Sequence, residues 1–235
     1  MQDFAESFSI AFQLVASPDA DLVEIVLLSL RVSLSAVGLA VVIGLPLGAA
    51  LGISRFPGRG AAIVVVNSLM GLPPVVVGLL VYLALSNAGP LGWMRLLYTP
   101  TAMIIAQTVL IAPIVTALTR EIVEQLHEEY AEYFRSLCLS PARALAACLW
   151  DARYSLLTVG LAGFGRAVAE VGAVIVVGGN IDHLTRVMTT AIALETSKGD
   201  LALALALGLV LMVLAISVNA LVMTMRATAA RAAYA

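Results

Sequence analysis

Polar residues are gathered into a few short stretches of this chain, and between them the sequence is apolar for long distances. Five apolar stretches stand out: roughly Ile25 to Ile53, Ala61 to Leu85, Thr101 to Leu118, Leu156 to Val177 and Leu201 to Met225. Each is near or above the ~20 residues a helix needs to cross a bilayer. A membrane barrel would instead show segments of about ten residues with alternating polarity, so the pattern predicts helices.

Between the third and fourth stretches, "REIVEQLHEEYAEYFRSLCLSPARALAACLWDARYS" sets Leu126, Tyr130, Tyr133, Phe134 and Leu137 three or four apart, with acidic residues between them. That spacing predicts helices at the membrane surface. Ser140 and Pro141 start a further short helix, reaching about Leu149, because Ser caps and Pro suits the first helical turn. Two readings stand for the segment: an amphipathic connector resting on lipid, or a docking element for a cytoplasmic partner. At the front of the chain Phe4, Phe8, Phe12 and Val15 recur at helical spacing, which fits a short helix on the outer surface or a frayed terminus. Ser17, Pro18 and Asp19 then read as the cap and first turn leading into the first span.

Composition agrees with a membrane protein. Of 235 residues 61% are hydrophobic and 12% charged, and the mean hydropathy is +1.02, far from the soluble balance of roughly a quarter charged residues. A net charge of -2 and an aromatic content of 6% offer nucleic acid neither a basic footprint nor a stacking platform. The first residues carry no basic leader and do not read as a cleaved signal peptide. Lys and Arg fix an orientation, since positive charge stays cytoplasmic. With the N-terminus outside, the inner segments carry Arg55, Arg59, Arg120, Arg135, Arg143, Arg153, Arg226 and Arg231, and the outer ones only Arg95, Arg186 and Lys198. The two cysteines, Cys138 and Cys148, then lie in the cytoplasmic segment, where thiols stay reduced, and without metal-ligand spacing each reads as a small buried hydrophobe. No internal repeat is visible, so the chain reads as one membrane domain over 22–226, with an outer-surface segment 1–21, a cytoplasmic loop about 120–155 and a cytoplasmic tail 227–235.

Three charges lie inside spans. In "AGFGRAVAEVGAVIVVGGN" Arg166 and Glu170 are four apart, on one helix face. A charge near the bilayer centre costs at least ~2.5 kcal/mol, so the pair needs a reason. It is either a mutually neutralising pair that fixes packing, or a face lining a path, where Arg166 offers charge-assisted hydrogen bonds to a passing anion and Glu170 orients it. Arg31 sits in the first third of its span, and either snorkels to the outer interface or joins that path. Gly178, Gly179 and Asn180 follow the fourth span, as exposed N–H groups for an anion or as an ordinary helix terminator. His183, alone beside Asp182, reads as a surface residue. Gly160, Gly163, Gly165 and Ala169 are expected to let neighbouring backbones approach. Pro46, Pro73, Pro74 and Pro113 interrupt spans as kinks or hinges. No GxxxxGK[ST] is present, and "GLAGFG" follows no strand, so no nucleotide site is expected in this chain.

The string "GFGRAVAEVGAVIVVGGNI", preceded by a surface helical pair, resembles the permease subunits of ATP-binding-cassette importers for oxyanions, above all the tungstate permeases. Molybdate and sulfate permeases carry a similar "FARALGEFGA" segment. The likeness covers roughly Leu22 to Met225 and is concentrated in 137 to 181. It implies an all-α integral membrane fold of the type I importer kind. It also implies a coupling helix in the family's "EAA" position, where Glu132 matches, Tyr133, Phe134 and Cys138 replace the usual Ala, Ala and Gly, and "LSPARA" stands where "ASPWRV" is common. Cys138, Leu139, Ser140, Pro141, Arg143 and Ala144 thereby join Glu132 as expected ATPase contacts. The implied assembly is a homodimer with two ATPase subunits, which bind the ATP and Mg, and an extracytoplasmic substrate-binding protein. This chain would hold no cofactor and would not be an enzyme. Tungstate is the expected cargo, with molybdate or sulfate as alternatives. An intramembrane enzyme using Glu170 with His183 or Asp182, and a secondary carrier, are rivals. Against the first stands the lack of a convergent acid and base constellation, and against the second the lack of two related halves.

Overall fold

The computed structural model describes residues 10, 12–13 and 20–233, with side chains described to residue 224. The helix and cap expected from Phe4, Phe8, Val15 and Ser17 to Asp19 lie outside the described residues, as do the side chains of the tail. All elements among the described residues are helical: α1 (Ala20–Ile53), α2 (Arg59–Met70), α3 (Pro74–Leu85), α4 (Pro100–Glu129), α5 (Ala131–Ser136), α6 (Pro141–Asp151), α7 (Arg153–Val168), α8 (Gly172–Gly178), α9 (Met188–Lys198) and α10 (Leu201–Ala233), with a 3-10 turn at Gly92–Met94. The residues fall into two compact units.

Among the described residues three helices are long and apolar enough to cross a membrane: Ala20–Ile53, Pro100–Glu129 and Leu201–Thr224. The other two expected spans are bent pairs, and the five crossings are recovered only when each pair counts as one. In the expected span Ala61 to Leu85 the chain turns by 101° between α2 and α3. The cause is local. Gly71 ends α2, Pro73 is extended at φ -61, ψ 129, and Pro74 opens α3, because a residue before proline is pushed out of the helical region. In the expected span Leu156 to Val177 the turn is 59°, between α7 and α8. No proline explains it.

One unit comprises 1–36, 73–107 and 165–219. Leu22, Met188, Ala191 and Leu207 form one of its cores, bringing together α1, α9 and α10. Here α8 lies against α3, where a Cβ at Gly78 would come 2.8 Å from Ala173 Cα; only glycine permits that approach. Tyr98 N–H donates to Val177 O at 3.0 Å.

The other unit comprises 37–72, 108–164 and 220–235. Its α1 segment packs on α4 through "GLPLGAALG", residues 44–52. A Cβ at Gly44 would lie 2.8 Å from Val115, and one at Gly48 would strike Thr116 O and come 2.7 Å from Thr119. These small residues at a spacing of four form a close-approach surface. The expectation placed on α7 is met only in part: Gly163 comes within 3.0 Å of Ile111 by the same measure, whereas Gly165 has nothing within 4 Å and Ala169 is exposed. Helix α4 runs through Pro113 and on to Glu129, so the first ten residues expected in a loop continue the helix.

Candidate functional site

The α7–α8 break carries the charged pair. Arg166 lies in the last turn of α7, and Glu170 lies beyond its end, in the three-residue link to α8. The two therefore do not share a continuous helix, yet Arg166 Nη1 donates to Glu170 Oε2 at 2.5 Å. Glu170 Oε1 accepts the Ala173 N–H at 3.1 Å, so the carboxylate also serves the open first turn of α8, where negative charge meets the positive end of the helix dipole. Both of its oxygens are occupied and its side chain is only 3% exposed, against 31% for Arg166. The carboxylate anchors; the guanidinium keeps an open side and donors to spare.

The freed backbone is served from other helices of the same unit. Gln107 Nε2 of α4 donates to Ala167 O at 3.2 Å, and Thr189 Oγ1 of α9 donates to Glu170 O at 2.8 Å. In an apolar surrounding a helix breaks only where such partners exist.

At the far end of α8, Gly179 sits at φ +72 and its N–H donates to Ile175 O, as a helix terminator does. Thr185 Oγ1 donates to Gly178 O at 2.6 Å, and Met103 and Thr185 stand where a side chain on Gly178 would go. Asn180 is left-handed at φ +50 and donates from Nδ2 to Thr190 O at 3.4 Å. Arg31 is exposed on α1 and lines an open recess with Leu27, Leu28, Pro100 and His183. The structure thus joins Arg166 with Glu170, and Gly178 with Gly179 and Asn180, while Arg31 lies apart from the break. Exposed His183 pairs through Nδ1 with Glu24 Oε2 at 2.9 Å.

In the other unit, α5 and α6 follow α4 as a pair of short helices. Phe134 is buried with Ala49, Val123, Ala144 and Cys148, its ring 5.7 Å from Tyr130 and 5.9 Å from His127. Tyr133, Leu137 and Trp150 stay exposed. Ser140 takes the extended cap conformation and Pro141 the first helical turn, but the Ser140 side chain makes no cap bond. Helix α6 continues to Asp151. Ala144 is buried beneath it, Glu132 and Arg143 face outward, and Leu139 is half-buried. Cys148 is buried as expected, and burial pushes its thiol above the usual range. Cys138 corrects the expectation: it is exposed, on a left-handed turn at φ 50. A left-handed residue is what a glycine at this position of the resembled motif provides. An open recess of about 970 Å³ lies here, lined by Arg55, His127, Arg135, Cys138, Leu139 and Ala144 among others.

Sequence reading missed three contributors. Glu124 receives Arg59 at 2.5 Å and also Arg120, tying α2 to the end of α4. The 44–48–52 glycine spacing was a readable packing signal. Gln107, a lone amide in an apolar run, was a readable signal of a buried polar need.

Three apolar helices of membrane-spanning length and two bent apolar pairs, among the described residues, are the architecture of an integral membrane protein. Residues 44–225 match the family of binding-protein-dependent transport system inner membrane components, and the chain belongs to that family. It is 40% identical over 200 residues to the tungstate uptake system permease protein TupB of Peptoclostridium acidaminophilum, covering 85% of this chain and 88% of that one. It is 40% identical over 185 residues to a probable anion ABC transporter permease protein of Haloferax volcanii (77% and 80%). The molybdenum transport system permease protein ModB of Azotobacter vinelandii is 29% identical over 170 residues (66% and 72%).

Proposed function

We propose that the chain is the permease of a tungstate importer. Two copies would form the pathway, two ATPase subunits would bind ATP and Mg on the cytoplasmic side, and an external protein would deliver the anion. The observation that carries the cargo is 40% identity to a tungstate uptake permease over most of both chains, against 29% to a molybdenum permease. Arg166 is the anion-facing residue in this reading: its partner is fixed, and its own guanidinium is partly open. A guanidinium presents paired donors to an oxyanion, and the buried carboxylate beside it weakens the attraction enough for release. Gly178, Gly179, Asn180 and Arg31 would border the same route. Glu132, Arg143 and the exposed Tyr133 and Leu137 would meet the ATPase, with Cys138 to Pro141 and Ala144 shaping the turn and seat. Closure of the ATPases would pull on α5 and α6 and switch access between the two sides.

The test is uptake of labelled tungstate by vesicles containing the full transporter, normalised to assembled complex. Because Glu170 also caps α8, the informative change is Arg166→Gln with Glu170→Gln, which removes both charges and keeps an acceptor for Ala173. Assembly with uptake lowered at least about tenfold is expected, the loss of one charged hydrogen bond to the anion. Near-normal uptake would reduce the pair to structure, and molybdate outcompeting tungstate at the binding-protein-saturated transporter would change the cargo.

Orientation is part of the proposal: N-terminus outside, C-terminus cytoplasmic. In intact cells an impermeant thiol reagent should spare Cys138 and label a cysteine at exposed Ser197, and opened vesicles should reverse the first result. Cys148, buried, should stay unlabelled from either side.

A further inference from the structure

Behind the α7–α8 break lies a cavity of about 10 Å³, lined by Ser29, Ser33, Gln107, Glu170 and Thr189 together with apolar neighbours. Gln107 is 3% exposed. Its Nε2 is held by Ala167 O, and its Oε1 is buried with no hydrogen-bond partner among the described residues. The amide is not free to turn over, because that would set Oε1 against the Ala167 carbonyl, acceptor to acceptor. A buried acceptor without a donor is costly, and native structures nearly always supply one.

The lining has the polar groups a donor would need. Thr189 Oγ1 gives its proton to Glu170 O, which leaves its lone pairs as acceptors. Ser29 Oγ gives its proton to Ile25 O and accepts from the Met188 N–H. A molecule with two protons and small enough for about one probe sphere of space is water. We propose that one ordered water sits here, donating to Gln107 Oε1 and Thr189 Oγ1, and that Gln107 acts through it as a positioning residue for Arg166. Gln107 holds the Ala167 carbonyl in the last turn of α7 and Thr189 holds the Glu170 carbonyl in the link, so the bridge between them sets how α8 leaves α7. That angle in turn sets where the Arg166 guanidinium points, since its partner Glu170 is fixed to α8. A bridge made of water exchanges partners at little enthalpic cost, so it leaves the angle of the bend adjustable.

The positioning role rests on the reading of Arg166 as a wall of the anion path; the water does not. Tungstate uptake is measured in the complete transporter, normalised to assembled complex, for Gln107→Met, for Arg166→Gln with Glu170→Gln, which leaves no buried charge unpaired, and for the three changes together. If Gln107 acts through Arg166, Gln107→Met and the charge-free double change each lower uptake about tenfold and the three changes together are no worse than the double change alone, because groups acting as one unit are not additive. Losses that multiply would overturn the positioning role. Thr189→Val, which removes the other end of the bridge with little change of shape, should reproduce Gln107→Met, and full activity in it would count against the bridge. Wild-type uptake by Arg166→Gln with Glu170→Gln would remove the path reading, and with it the positioning role. The water is then judged by density: a peak within hydrogen-bond distance of Gln107 Oε1 and Thr189 Oγ1 sustains it, and its absence where other buried waters are resolved overturns it.

Discussion

Two interruptions of helix, one in each compact unit, use opposite chemistry. At the α7–α8 break the chain leaves the helix among apolar residues, and the polar groups around the break are largely met from inside: Glu170 by Arg166 and Ala173, Ala167 O by Gln107, Glu170 O by Thr189. At the α5–α6 turn Cys138 turns left-handed and exposed, and Tyr133 and Leu137 remain uncovered. A break that must survive away from water recruits distant partners, whereas one that offers a surface needs only a buried anchor, here Phe134. The first is expected to fail by misfolding, the second by losing a partner.

The largest expected effect tests the inner break. Glu170→Leu leaves Arg166 unpaired and the first turn of α8 without its carboxylate, which should cost about 3–5 kcal/mol and abolish recovery of folded protein, read as yield and thermal midpoint in detergent. Glu170→Gln keeps an acceptor for Ala173 and should be recovered at a reduced midpoint. Equal midpoints for wild type and Glu170→Leu would show that the break does not depend on the pair.

Next comes the outer turn. Phe134→Ala empties a buried site and should cost about 3–4 kcal/mol. Tyr133→Ala, at the neighbouring exposed position, should change stability by less than about 0.5 kcal/mol yet lower substrate-stimulated ATP hydrolysis several-fold. Stability loss from Tyr133→Ala with unchanged stimulation would erase the contrast between the two regions.

Glycines give a mid-sized test of packing. Gly48→Ala drives a Cβ into the Thr116 carbonyl and should cost about 1–3 kcal/mol. Gly165→Ala, with nothing within 4 Å, should be neutral or slightly stabilising, by up to about 1 kcal/mol as is usual for Gly→Ala in helix. Thermal midpoints of the two variants decide it.

Legibility in the sequence follows the same division. Features carried by neighbours along the chain could be read: the apolar runs, the Ser140–Pro141 helix start, and the pairing of Arg166 with Glu170 by spacing. The 59° turn between them and α8 could not, because the groups that make it affordable, Gln107 and Thr189, lie 60 and 19 positions away from the carbonyls they serve. Proline runs were legible as interruptions, but not the 101° turn at Pro73–Pro74. Cys138 was misread because its hydrophobic character says nothing of a left-handed backbone that faces it outward.

The smallest effect concerns the exposed pair of His183 and Glu24. The hydrogen bond that the protonated ring donates to Glu24, then the charges of Asp182 and Glu24, raise the His183 pKa above 6.5, with Asp21 adding to them and slight desolvation opposing. Arg186, which pairs with Asp182, partly offsets that neighbour. A histidine whose folded pKa is raised stabilises the fold in its protonated form. The contribution is therefore full below pH 6.5 and fades as pH rises through the higher folded value. Comparing thermal midpoints of wild type and His183→Gln across pH 5.5 to 9, in steps of about half a unit around the reference pKa, wild type should lead at the acid end and the two should converge at the alkaline end. The difference should shrink in high salt, since both side chains are open to solvent and screening acts on exposed charges. A lead that grew with pH would mean that the neutral imidazole is the favoured form and that the contact with Glu24 is not the one that ties α1 to the segment before α9.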